Sequence, residues 1–434
     1  MKRNNKMTGK FTWRFVAAFA IILAWAASAA AQTVVVGTGN PDIDVPAVQA
    51  AVDQGGDVIL KGHFSFDRPP TIPTATSFVG GLATVLVWKA VAISGTQDGD
   101  DEMTSIEGGT TPFYVEASGA SVTIQGLRFI RPKGDAIFVY AVSGLVIASC
   151  KIEGVETLQT IGGGDGIDIN TSSGVPMPTN PGKPENISGT LLVANNDIDV
   201  AGGTAQDLTV GVLIFSVGVP GAEVEAYVSG NKIRNTTEPA INFRRVGGRV
   251  YVERNVLTTG SVAGPAGNLQ AIRVVNTGSY VIAHNSIDCA WPQAAGIGVF
   301  SQIAAWPVER AVVVDNDVTM SAPEDTVFGP DSAGIEIRGF AQGNVVLDNR
   351  IRGRARAALS VDVFKGGIPA DNAFVRNRFN DFEASLADVF VGAGVMNTRI
   401  VGQGTVEDFG IGTVIVPVVG EGKDKHKDRD KDDH

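Results

Sequence analysis

Two aspartates and two arginines are the residues of this 434-residue chain best suited to chemistry. Asp165 and Asp168 fall in the segment Gly164-Asp165-Gly166-Ile167-Asp168-Ile169. Glycoside hydrolysis by inversion needs at least two carboxyls, on opposite sides of the scissile bond. Arg244 and Arg273 suit a different reaction. Elimination beside a uronate carboxylate needs a base to take the proton and fixed positive charge to hold the developing anion. Around these four, Tyr140, Phe215 and Phe300 offer rings that can stack on sugars, and Asn170 and Asn242 offer amides for hydroxyls. Taken singly, each of these residues has ordinary surface decoration as its competing explanation.

What would bring them together is a repeat. A few apolar residues are followed by Asn, any residue, then an apolar one: Asn196-Asp197-Ile198, Asn231-Lys232-Ile233, Asn255-Val256-Leu257, Asn285-Ser286-Ile287, Asn316-Asp317-Val318, Asn349-Arg350-Ile351 and Asn377-Arg378-Phe379. The steps between these asparagines are 35, 24, 30, 31, 33 and 28 residues, and recurrence on that scale marks a solenoid. The β-branched runs ahead of each Asn favour strand. The Asn itself is expected to make the bend, since it tolerates the left-handed region. Stacked coils would let each Asn bond the Asn of the next coil in a buried ladder. A second phrase alternates with the first: Gly or Ala, an aliphatic, any residue, an apolar one. Examples are Gly166-Ile167-Asp168-Ile169, Ala240-Ile241-Asn242-Phe243 and Ala271-Ile272-Arg273-Val274. Strand alternation turns its aliphatic pair inward and the others outward to solvent. Two outward ladders result: Phe138, Asp168, Leu213, Asn242, Arg273, Gly298, Glu336, Ser360, and Tyr140, Asn170, Phe215, Arg244, Val275, Phe300, Arg338, Asp362.

With one such strand between successive Asn turns, the chain resembles the pectate-lyase-like superfamily of right-handed parallel β-helix proteins. The resemblance implies an all-β fold, a single solenoid of roughly ten coils with an N-terminal capping helix. It also implies a polysaccharide groove along the Gly/Ala strand, whose flanking loops vary most in length. The segment around Asp165 is similar to the Asn-Thr-Asp-Gly-Ile-Asp segment of polygalacturonase-type hydrolases, in which the Asp before Gly is a catalytic acid. The family's paired Asp in the next coil is missing here, as are its Gly-His-Gly and Arg-Ile-Lys segments. In related lyases Arg or Lys is the base, and calcium or another basic residue neutralises the carboxylate. That assigns Arg244 and Arg273 as base and clamp and makes calcium the cofactor to look for, with no metal ligands identified. Glu336, Arg338 and Asp362 read as ion pairs with each other.

The rest of the chain bounds this reading. Residues 1–31 combine a basic start, the apolar run 15–26 and Ala29-Ala30-Ala31, the pattern of a secretory signal peptide. Removing them takes away five positive charges and no negative ones, so the net charge goes from −11 to −16. Such a chain does not point to nucleic acid, and its mature part holds no membrane span; the location implied is secreted or periplasmic. Residues 32–420 form the β-helix domain, opened by a helix from a cap at Asp44 to Gly55. Residues 421–434 alternate Lys and Asp with nothing apolar to bury, which predicts a disordered tail. The acidic stretch Asp98, Asp100, Asp101, Glu102 lacks EF-hand spacing and reads as a solvated loop. Cys150 and Cys289 fall about four coils apart, near 20 Å at ~4.8 Å per coil. A disulfide needs Cα atoms within about 7 Å, so two free buried thiols are expected. Two functions fit: a protein that binds or cleaves a polysaccharide, acidic ones included, in a lyase-like or hydrolase-like way, or a non-catalytic solenoid with a surface, adhesive or structural role.

Overall fold

The computed structural model describes residues 32–417, apart from 70, 72–83, 99–101, 157–163, 172–182, 201–208, 261–268, 277 and 403. The segment 1–31, the tail 421–434, and Asp100 and Asp101 of the acidic loop lie outside the described residues. Among the described residues 33 strands join one sheet, and every pairing within it is parallel; two short pairs stand apart, Val308–Glu309 with Ala341–Gln342 and, antiparallel, Gln97–Asp98 with Glu102–Met103. Parallel neighbours far apart in sequence mean that the chain coils, each strand pairing with its counterparts one coil before and after.

Three columns result. The front column stacks Ile167–Asn170, Val212–Val217, Ile241–Val246, Gln270–Val275, Ala295–Ser301 and Ala333–Gly339. The second stacks Gly189–Ala194, Val224–Ser229, Gly248–Glu253, Ser279–Ala283 and Val312–Val314. The third stacks Asp197–Asp199, Lys232–Thr236, Val256–Thr259, Ser286–Cys289 and Asp317–Met320. The inward positions agree with the alternation: Ile167, Val212, Ile241, Ile272, Ile297 and Ile335 form one stack inside the coil, each with 0% exposure. Burying each such side chain contributes roughly 1.5–3 kcal/mol. The small residue that opens the front strands has a steric cause. A Cβ on Gly211 would stand 2.6 Å from the carbonyl oxygen of Ala240 and 2.3 Å from Ile233 Cγ2.

At the bend between second and third columns, Asn side chains link the coils. Asn231 Nδ2 donates to Asn255 Oδ1 at 3.0 Å and to the Val193 carbonyl at 2.9 Å, while Asn231 N also donates to Asn255 Oδ1. The pattern recurs from Asn255 to Asn285, Asn316, Asn349 and Asn377. It begins at Asn196, whose Oδ1 accepts from Cys150 N. These residues are buried. The bend differs from expectation in one respect. The left-handed residue is not the Asn but the one before it: Asn195, Arg254, His284, Asp315, Asp348 and Arg376 all have φ between 51° and 57°, and Ser149, before Cys150, shares that conformation at φ 54°. The Asn is held inside by its bonds, so its neighbour makes the turn. A shorter run that the sequence reading passed over, Asn344 to Asn372, bonds likewise at another bend.

The helix Pro41–Gln54 packs against the first strands, with Val45, Val48 and Val52 buried. Its cap is Asn40, which accepts from Asp42 N, rather than Asp44. Pro41 then fits the first turn, where no N–H is needed. Asp44 is instead buried inside the helix, accepting from Thr38 N and Oγ1 and from Ser65 N. Gly55, at φ 73°, ends the helix. Cys150 and Cys289 are free and buried; burial pushes both thiols up to about 12.

Replacing Asn285 with Ala removes bonds to Asn255, Asn316 and the Val252 carbonyl and should cost about 1–3 kcal/mol. A denaturant midpoint equal to that of the wild type would refute a buried role. Asp315, at φ 52°, should accept Asn with little change, whereas Val there should cost about 1–2 kcal/mol in the same titration.

Candidate functional site

The front column fixes the outward residues rung by rung. Register aligns Phe138, Asp168, Leu213, Asn242, Arg273, Gly298, Glu336 and Ser360 in one line. Beside it run Asn170, Phe215, Arg244, Val275, Phe300, Arg338 and Asp362. At about 4.8 Å per strand, Asn170 lies roughly 10 Å from Arg244 along the axis, and Asp168 roughly 14 Å from Arg273. Outward does not mean open, however. Tyr140 and Phe300 are each 2% exposed and Asn242 4%, so the expected solvent-facing ladder is largely covered. Alternation fixes which way a side chain leaves the strand, but not what packs over it.

Asp165 and Asp168 come together, and they bring a third carboxylate, Asp135. Oxygens of the three lie within 4.8 Å of one another. Asp165 N donates to Asp135 Oδ1 at 2.8 Å, and Val210 N donates to Asp165 Oδ1 at 2.9 Å. The Asp168 carboxylate takes a side-chain hydrogen bond from Asn170, while its Oδ1 is buried with no hydrogen-bond partner among the described residues. Burial raises all three acids. Asp135 reaches about 7, against a lowering bond from Asp165 N. Asp165 and Asp168 are raised well above the usual range, first by burial and then by the charge of Asp135. Asp135 escaped the sequence reading, although Gly134-Asp135-Ala136-Ile137 has the same frame as Gly164-Asp165-Gly166-Ile167 one coil later.

Arg244 and Arg273 sit on adjacent strands; burial and then the charge of Arg245 lower Arg244, and the charge of Arg244 adds to burial in lowering Arg273. Arg273 falls to about 10, chiefly by burial. Both guanidiniums stand over rings of the column: Arg244 at 4.7 Å from the Phe215 centroid and Arg273 at 5.4 Å from that of Phe300. Phe300 also meets Phe364 edge-on at 5.9 Å. Glu238, a second acid that the sequence reading passed over, is buried beside the two arginines. Burial raises it, and their charges oppose the rise. Further along, Arg338 pairs with Glu336 at 3.2 Å and with Asp331 at 2.5 Å, while Gln270 donates to Glu336. Arg338 also feels the charge of Asp362. The expected pair of Glu336 with Arg338 is thus present and buried, while the second carboxylate paired with Arg338 is Asp331 rather than Asp362.

Unpartnered buried polar atoms gather on this face. Among the described residues they include Asp168 Oδ1, Glu238 Oε1, Asn242 Oδ1, Gln270 Oε1 and Arg273 Nε. Native interiors rarely leave such atoms unpaired, and each asks for a water, an ion or a ligand.

No protein-family model and no curated protein sequence matches the chain. Solved structures do. PfbA, a surface adhesin of Streptococcus pneumoniae, is 14% identical with a TM-score of 0.55, over 82% of this chain and 91% of that one. DFA-IIIase from Arthrobacter chlorophenolicus A6, in complex with GF2, is 11% identical with a TM-score of 0.51, over 89% and 95%. At these identities the likeness speaks for architecture. Together with the parallel columns it identifies the chain as a right-handed parallel β-helix.

Proposed function

We propose that this protein binds an acidic polysaccharide along the outward face of the front column and cleaves it by elimination. The observation that carries this reading is the row of buried polar atoms without partners, from Asp168 through Asn242 to Arg273 with Glu238 and Gln270 alongside. Each unmet group costs about 1–3 kcal/mol, and a hydroxyl-rich strand lying across successive rungs supplies partners to several at once. The two adjacent arginines give the acidic specificity, because a uronate carboxylate offsets their mutual repulsion. Arg273, lowered to about 10, releases its proton more readily than an ordinary guanidinium. That suits it to take the proton beside the carboxylate while Arg244 holds the developing anion. Asn242 and Asn170 are the hydroxyl partners, and the half-buried Phe215 is the ring best placed to line the strand. Tyr140 and Phe300 support the face from beneath. Asp165 and Asp168 form the negative pole, beyond the sugar carboxylate.

Export belongs to the same reading. Residues 1–31 have the signal-peptide pattern, and a polysaccharide substrate lies outside the cytoplasm. No helix among the described residues is long and apolar enough to cross a membrane. A second reading, adhesion without chemistry, is favoured by the arginines already stacked on Phe215 and Phe300 and by the structural likeness to a surface adhesin.

The test is a panel of acidic and neutral polysaccharides, with and without calcium. Elimination should appear as absorbance in the unsaturated-uronate band, and Arg273→Ala should abolish it. Losing either arginine should weaken binding of acidic glycans about tenfold or more, since each charge-assisted bond is worth roughly 1.5–3 kcal/mol, and leave neutral glycans unaffected. New reducing ends without that absorbance would replace elimination by hydrolysis. Binding with neither signal would favour adhesion, and full binding by the double Arg→Ala variant would move the site off this face.

A further inference from the structure

The outward side of the second column is apolar. Register carries one line of side chains from Val146 through Val281, Val312 and Val345 to Val414. Beside it, two residues on, run Val314, Leu347, Val375 and Val401. The residues between the two lines, such as Val313 and Val346, are the ones that face the core. Tyr227 and Tyr251 belong to the first line, their rings stacked 4.9 Å apart and nearly parallel at 8°. Val281, Val312, Val314, Val345, Leu347 and Val375 are half-buried. Their strands pack chiefly on the strands one coil before and after, so the open side of each of these residues meets solvent. The third column differs. It turns Arg234 outward with Asp197 and Asp199, and Arg352 with Asp317, in ion pairs. A long apolar stripe beside such a charged face marks an interaction surface.

Its size and its charges fit a second copy of this chain. From Val146 to Val414 the line takes nine steps, roughly 43 Å at about 4.8 Å each, and five residues across the strands span about 16 Å. That is roughly 700 Å² of sheet, near the ~800 Å² per partner that a stable dimer buries. The charged end of the chain does not suit such a face, since Lys423 to Asp433 holds no apolar side chain. A two-fold contact uses the same patch on both copies, and this patch suits itself. Tyr251 and Glu253 stand two rungs before Val312, and the exposed Arg399 two rungs after Val345. A two-fold axis between the Val312 and Val345 rungs therefore sets valines against valines in the middle. At each end it lays Arg399 of one copy against Tyr251 and Glu253 of the other, a cation against a ring and a carboxylate.

We propose that the outward face of the second column is the interface of a homodimer, its two chains antiparallel about a two-fold axis between the Val312 and Val345 rungs. The front column lies on another side of the coil and stays open, so the dimer goes beyond the polysaccharide reading and is measured without any sugar. Sedimentation of the purified protein at tens of micromolar should give twice the mass of one chain, falling toward a single chain on dilution. Val312→Thr and Val345→Thr keep the β-branched shape and strand preference while adding hydroxyls that the contact would bury. Together they should weaken dimerisation tenfold or more. Val256→Thr, at an exposed position of the third column, should leave it unchanged. Arg399→Glu should also weaken it tenfold or more, and adding Glu253→Arg should restore it. If the threonine variant proves unfolded by circular dichroism, Arg399→Glu still decides, because that position is exposed. A wild-type protein that stays a single chain throughout would overturn the proposal and leave the face to another segment of this chain or to a different protein. So would dimerisation unchanged in the folded threonine double variant or in Arg399→Glu, or a loss in Arg399→Glu that Glu253→Arg does not restore. Because no glycan is present, failure here leaves the polysaccharide reading to its own test.

Discussion

The buried amide of one asparagine, bonded to the asparagine of the next coil, is the contact on which the rest of the molecule depends. A tight bend inside a solenoid strands backbone donors and acceptors away from water, and each one left unmet is expensive. Asn meets several with one side chain. In Asn285, Oδ1 accepts from Asn255 N and Nδ2, while Nδ2 donates to Asn316 and to the Val252 carbonyl. Because the bonds pass from coil to coil, they also fix how far one coil is rotated over the next. That rotation sets the parallel register of the front column, which brings Asp168, Asn242 and Arg273 into one line. Site and bend lie on different columns, yet the bend determines the site.

The front column then does what a rigid scaffold allows. It gathers groups that would not otherwise stay together. Two arginines stand side by side, the charge of Arg244 helping to lower Arg273, and three carboxylates share a small volume. A flexible loop would relax such arrangements by moving apart. A β-helix cannot relax them without breaking pairings on both neighbouring coils. Buried ion pairs farther along, such as Glu336 with Arg338 and Asp331, show the same scaffold holding charges that have met their partners. The contrast between satisfied and unsatisfied charge along one column is what the proposed site rests on.

Much of this was legible in the sequence, for a physical reason. The inward stack of Ile167, Val212 and Ile241 and both outward lines follow from period-two alternation at fixed places in each coil, and alternation is a local property. Turn chemistry was less legible. Asn195, Arg254, His284 and Asp315 share a left-handed conformation without sharing a residue type, because the bonded Asn beside them imposes the geometry. The cap of the helix was misplaced for a related reason: Asp44 has the chemistry of a cap, but tertiary bonds to Thr38 and Ser65 claim it. Asp135 was passed over because its role depends on lying one coil from Asp165, a closeness that only stacking creates. The covering of Tyr140 and Phe300 left no local trace, since it depends on what packs over the strand.

The two ends of the described solenoid are unlike. At the first coils the helix Pro41–Gln54 lies against the strands and buries Val45, Val48 and Val52. At the last described rung, Val414–Pro417, every residue is exposed, with Val414 at 54% and Ile415 at 48%. A stacked array draws its cohesion from nearest neighbours, so a rung with one neighbour is held about half as well as a rung with two. Among the described rungs, the lowest opening free energy is expected at Val414–Pro417, whose amide protons should exchange before those of the coils behind it. Asp168 and Arg273 lie several coils in from that rung, with paired strands on both sides, so fraying at the far coils can leave the geometry around Asp168 in place.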